Sequence, residues 1–343
     1  MRLRTLQLGL ALFTIGSALA VAADDNAPQT PVAIALPGGA GGIGFDDLGF
    51  FRTLGKLLVP AGRTGKLDLV DPATGTVVSI PGFSTKKGFE EGHDDGITSV
   101  AEGAGLLFVT DRTSLRLSIV DPVTKSIVGY SSLGASPDYV RWLESTHELW
   151  VTEPDSERVE VFRFEPGPPP RAKPVGTIAI PEGPESLVLD AKRGRAYTHV
   201  ASGKTVAIDL HTHAIVATWS NGCKEATGVA LDADRGFLFV ACEEGGVRVL
   251  DVASGKTLGS IELGGGIDII SYSPELGHLY VPSGETAALA TLGVSPQGAL
   301  SLLGTAPGTK DSHCVAARGK VYFGDPEHGR LLVFIDPYPP SPR

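Results

Sequence analysis

Seven short phrases of the chain carry a carboxylate or an imidazole near their start: GFDDLGF from residue 44, GHDDGITSV from 92, SPDYVRW from 136, GPESLVL from 183, CKEATGV from 223, GGIDIIS from 265 and DSHCVAA from 311. Most run on into an apolar or alternating stretch, so the charged residue marks the entry of a strand. If the seven entries converge, His93, Asp94, Asp138, Glu185, Glu225, Asp268 and His313 become ligands around one mouth, with Asp46, Asp47, Asp95 and Asp311 beside them. Carboxylates crowded round a narrow opening cannot all ionise cheaply, because each like charge raises its neighbours' pKa. A bound cation, protonation or a cationic ligand relieves the repulsion. Oxygen ligands suit a hard ion such as Ca²⁺ or Mg²⁺, whereas His93 and His313 tilt the set toward Zn²⁺, Mn²⁺ or another transition ion. The alternative without function is that these side chains bond neighbouring strand ends and channel water.

Convergence requires a ring of repeats, and the chain has the period of one. Residues 222–266 read as four short strands separated by Asp-Ala-Asp-Arg-Gly, Glu-Glu-Gly-Gly and Ala-Ser-Gly-Lys turns, the pattern of one propeller blade. The third strand of this unit recurs as LDLVDP, LSIVDP, VFRFEP, VAIDLH, VRVLDV, ATLGVSP and LVFIDP, with markers near Asp71, Asp121, Glu165, Asp209, Asp251, Gly293 and Asp336. The intervals are 50, 44, 44, 42, 42 and 43 residues. Phase held over seven copies predicts an all-β, seven-bladed β-propeller of four-stranded blades. The seventh marker is followed only by Pro337-Tyr338-Pro339-Pro340, which cannot continue a ladder. TPVAIALPG, from Thr30, resembles the fourth strand of the third repeat, so residues Pro31 to Pro37 are expected to complete the seventh blade and close the ring.

The composition agrees: 44 Gly and 25 Pro in 343 residues describe many turns and few long helices. Arg2 and Arg4 precede an apolar run from Leu6 to Ala22 with small residues ahead of Asp24. Residues 1–23 therefore read as a secretory signal peptide, with a retained anchor as the alternative, and residues 24–343 as a single propeller domain. The product is expected to be exported to the periplasm or beyond, without a membrane span, and monomeric. Losing Arg2 and Arg4 takes the formal charge from −10 to −12, which disfavours nucleic acid as a partner. Of three cysteines, Cys223 opens the first strand of its blade and Cys242 closes the second. Antiparallel pairing sets those ends side by side, so a Cys223–Cys242 disulfide worth about 3 kcal/mol is expected, with two buried thiols as the alternative and Cys314 free in either case.

The phrases LDLVDPATGTVV, VRVLDVASGKTLGSI and CKEATGVALDADRGFLFVACEEGGVRVLD resemble exported YVTN-type or YncE-like seven-bladed propellers, and the resemblance spans Pro31 to Pro337. It implies a binding scaffold and supplies no catalytic residues. The literal Tyr-Val-Thr-Asn motif is replaced by LWVTEP and LYVPSG. The expected function is an exported binding protein or scaffold that takes a cation, a small ligand or a protein partner at the mouth. A metal-assisted, lactonase-like hydrolase is the alternative, in which the ion polarises a carbonyl and a channel carboxylate or His acts as base. Gluconolactonase-type propellers hold their metal with Glu, Asp and two Asn, and this chain has only Asn26 and Asn221, neither in an entry phrase. A protein-interaction module using the blade faces is a third reading, with no metal.

Other motifs carry less. Gly39-Ala-Gly-Gly-Ile-Gly44 matches GxGxxG without a following helix. His211-Thr-His213 reads as a solvated pair in an outer turn and Cys314 as a small buried residue rather than a nucleophile. Trp142, Trp150 and Trp219 read as inter-blade packing, with Trp142 close enough to Asp138 to border the mouth.

Overall fold

A computed structural model describes residues 30–342 apart from 52 and 91. The signal peptide expected at 1–23 lies outside these residues. The described chain forms seven four-stranded antiparallel sheets, and its one helical element is a 3-10 turn, Pro154–Ser156. No helix among the described residues is long and apolar enough to cross a membrane.

Blade five shows why the sequence folds this way. Its second strand, Phe237–Cys242, is buried at every position, which its unbroken apolar run requires. Its fourth strand, Thr257–Glu262, alternates between exposed and half-buried positions because only one side meets the neighbouring blade. Third and fourth strands are joined by a turn that the marker aspartate closes. Asp251 Oδ1 accepts the Ala253 N–H at 3.2 Å, and the same contact recurs at Asp71 with Ala73 (2.8 Å), Asp121 with Val123 (2.8 Å) and Asp209 with His211 (3.0 Å). The recurring acid is turn chemistry, a side chain standing in for a backbone acceptor.

The ring closes as the repeat count requires. Val32–Ala35 pairs antiparallel with Arg330–Phe334 as the outer strand of blade seven, from Val32 opposite Val333 to Ala35 opposite Arg330. The prolines that follow blade seven do not extend it. They carry the tail to blade six, where Asp336 Oδ2 accepts from Tyr280 Oη (2.7 Å) and meets His278 Nδ1 (2.7 Å), while Ser341 N–H donates to Leu276 O (2.7 Å). Two segments thus bind blade seven into the ring.

The inner strands are stitched to one another around the axis. Asp47 N–H donates to Thr98 O (3.1 Å), Val140 N–H to Ser99 Oγ (3.0 Å), Thr227 Oγ1 to Ile267 O (2.9 Å) and Ile269 N–H to His313 O (2.8 Å). Arg141 reaches across the channel from blade three, donating to Asp47 Oδ2 at 2.5 Å and to Leu187 O at 2.9 Å. Above that crossing lies the mouth.

Candidate functional site

The mouth is a cavity of about 750 Å³ at one end of the channel, within the size range of small-ligand sites. Its wall is made by the connections that enter the first strand of each blade and by the residues that follow the second strand. The backbone holds the entries in place: Asp138 N–H donates to Thr152 O (2.8 Å) and Glu185 N–H to His199 O (2.9 Å), pairing each entry with the end of its own blade's second strand.

Of the predicted ligands, His93, Asp94, Asp138, Glu185, Asp268 and His313 line the cavity, as does Asp46. Glu225 does not. It is exposed on the rim, and its blade presents Thr227 and Glu243 instead. Thr227 lies two residues further on, inside the strand, while Glu225 stays in the exposed connection before it. Asp47 points down the channel to Arg141. Trp142 is no part of the mouth: it stacks on Phe108 of blade two, with ring centroids 5.3 Å apart, and packs blades together as Trp150 and Trp219 do.

Arg112, like Glu243 and Glu285, is a wall residue that the sequence reading missed. It follows the second strand of blade two (Leu106–Asp111), the position that puts Pro154, Glu243 and Gly284 into the same wall. Counting one residue past each second strand would have found it. Its guanidinium bonds Asp138 and lies 3.5 Å from Asp46 Oδ2, 3.6 Å from Asp94 Oδ1 and 2.9 Å from His93 Nδ1, while Nε donates to Pro137 O at 2.8 Å.

Buried charges here shift one another. Burial opposes ionisation of Asp46, but His93 and Arg112 outweigh it and hold the carboxyl below its ordinary range. Burial also opposes protonation of His93, yet the Asp46 carboxylate, 3.3 Å from Nδ1, pushes it up to about 9. Arg112 Nη1 donates to His93 Nδ1 at 2.9 Å, and its other bonds run to Asp138 and Pro137. Burial raises Asp138 well above the usual range, with the charge on Asp46 adding to it and Arg112 opposing. Burial likewise raises Asp268 against the pull of His313 and His93. On the other side of the mouth burial, then Asp268, Glu225 and Glu285, push Glu243 up to about 7.

The remaining motifs have structural roles. In the glycine loop, Gly42 has φ +97° and a Cβ there would stand 2.3 Å from the Phe89 ring, so the loop packs under the segment that carries His93. Arg63 Nε holds the Gly42 carbonyl at 2.7 Å. His211 is exposed, but His213 is not merely solvated: its Nε2 meets Glu148 Oε2 of blade three at 3.1 Å, above the edge of Trp150. Cys223 and Cys242 are joined in a disulfide, and Cys314 is free and buried. Burial pushes the Cys314 thiol up, away from thiolate chemistry.

Comparison with known proteins is decided by the ring. No family model matches the chain, and no curated protein sequence matches it. Among solved structures, a chain of the mitotic checkpoint complex superposes with a TM-score of 0.74 at 14% identity, covering 96% of this chain and 99% of that one. The β-propeller domain of Cps50 (Swd1) from Myceliophteria thermophila gives 0.70 at 13% identity over 89% and 100%. Kuenenia stuttgartiensis hydrazine synthase gives 0.67 at 14% identity over 94% and 99%. The likeness is one of fold: this chain is a seven-bladed β-propeller.

Proposed function

We propose that this chain is an exported ligand-binding propeller whose mouth takes a positively charged ligand, within the scaffold role that the YVTN-type resemblance implies. The observation that carries the reading is the charge of the cavity wall, nine carboxylates against Arg112 and two histidines. Arg112 and His93 are taken up by Asp138 and Asp46, so the acids of blades four to six, Glu185, Glu243 and Glu285, face the cavity without a cationic partner among the described residues. Low-dielectric walls focus such a potential and attract cations. The disulfide fits a non-reducing compartment, as the leader-like N-terminus does. Calorimetry with putrescine at low ionic strength tests the reading. Binding at one site is expected, weakened at least tenfold in Glu185→Gln/Glu243→Gln and unchanged in Glu262→Gln on the outer face of blade five. Absence of binding, or binding indifferent to the mouth variants, would refute it.

Metal-assisted hydrolysis is the second reading, favoured by one observation: the ligand atoms of His93, Asp268 and His313 converge. Its test is turnover of small lactones and esters, lost in Asp268→Asn.

A further inference from the structure

We propose that His93, Asp268 and His313 form a site for a single first-row transition ion of the Zn²⁺ type at the base of the mouth. This rests on the reading of the mouth as a cation-binding site and narrows the ligand set to residues from blades two, six and seven. One ligand atom from each lies within 4.8 Å of the other two, and among the described residues no other group of three His, Cys, Asp or Glu does so. The two imidazoles stand with centroids 5.3 Å apart and planes at 45°, so one nitrogen from each can address a common point.

The His313 ring is anchored as metal-ligating histidines are. His313 Nδ1 donates to Asp311 O at 2.6 Å, and His93 Nδ1 is engaged by Arg112 Nη1 at 2.9 Å, with Asp46 Oδ2 3.3 Å away. A carboxylate or a backbone carbonyl on one nitrogen fixes the ring and leaves the other as the ligand atom. For His313 that atom is Nε2, and in His93 the Arg112 contact at Nδ1 leaves Nε2 open in the same way. His313 Nε2 meets Phe45 O at 2.9 Å, a contact that an ion would replace. Asp268 is half-buried in the cavity wall, beside His313 and His93, and has no direct hydrogen bond or ion pair among the described residues. Its oxygens are free to meet an ion that the two imidazoles also address.

The donor set chooses the metal. Two imidazoles and one carboxylate suit Zn²⁺ and its first-row neighbours and leave coordination positions open to the cavity, whereas Ca²⁺ prefers six or more oxygens. The other acids are not available to make an oxygen cage: Asp138 is bonded to Arg112, and the Asp94 side chain is 91% exposed.

The experiment uses the full chain freed of metal with a chelator and titrated with ZnCl₂ and, separately, CaCl₂. One Zn²⁺ per chain is expected, bound at least a hundredfold more tightly than Ca²⁺. Asp268→Asn and His313→Ala should each weaken Zn²⁺ at least tenfold, and Asp94→Asn and Glu185→Gln should leave it within twofold. His313 also bonds Phe45 across the closing blades, so Asp268→Asn, which keeps the side-chain shape, stands alone if His313→Ala does not fold. Substoichiometric Zn²⁺, equal affinity for Ca²⁺, or unchanged affinity in Asp268→Asn overturns the site. Putrescine titrated into the same metal-free protein separates the two readings. If it binds at the mouth and Zn²⁺ does not, only the metal site falls; if neither binds, both do.

Discussion

Arg112 serves Asp138, Asp46 and Asp94 from a side chain that is 12% exposed. Replacing it with Leu leaves the buried Asp138 carboxylate without its countercharge and Asp46 with His93 alone, a change that costs about 3 kcal/mol where a buried pair loses one partner. Urea unfolding of Arg112→Leu should show that loss, and adding Asp138→Asn should recover part of it. A second residue sets a pH dependence. His199 is buried in blade four with Nε2 unbonded, and burial lowers its pKa to about 3. The unfolded chain binds that proton near pH 6.5. Stability from His199 is thus fully present above about 6.5 and is lost as pH falls toward 3, because only the unfolded state takes the proton. Between pH 7.5 and 5 the loss is about 2 kcal/mol. The check is the difference between wild type and His199→Leu in urea at the two pH values; equal pH dependence in both would rule out this role for His199.

At the scale of the element, blade five carries its own fastener. The disulfide ties the entry of the first strand to the end of the second, across a separation of 19 residues, directly beneath Glu243. Breaking it as Cys223→Ser/Cys242→Ser should cost about 3 kcal/mol by the loop-closure argument, read as a lower urea midpoint. Cys314→Ala should not alter the disulfide map of a non-reduced digest. This pairing was legible in the sequence because antiparallel strands of one blade place their ends together. The strand markers were legible for a local reason too, since Asp71, Asp121, Asp209 and Asp251 each close a turn within a few residues. Glu225 was misplaced for a local reason of the opposite kind. It sits in the exposed connection before the strand, where no ladder fixes the direction of a side chain, and the cavity takes Thr227 from the strand itself.

At the scale of the molecule the ring stands on its closure. Ile34 of the N-terminal strand packs against the core, and the strand covers the open edge of blade seven. Deleting the chain through Gly38 should lower the unfolding midpoint by roughly 10 °C or more and raise the aggregated fraction, since an exposed edge pairs with other chains. A truncated protein that melts with the full one would refute closure as a source of stability. Period, strand alternation and turn residues determined the blades, their number, the N-terminal closure and which entry phrases face the axis, because each is settled by hydrogen bonds and packing between residues near in sequence or related by the repeat. Only the tertiary structure decided the rest. Which charges neutralise each other in the mouth, Arg112 with Asp138 and His93 with Asp46, depends on how far side chains from different blades reach across a shared cavity. The latch of the C-terminal tail on His278 and Tyr280 likewise belongs to no repeat. A period specifies the direction in which a residue points, and only the closed ring sets what it meets there.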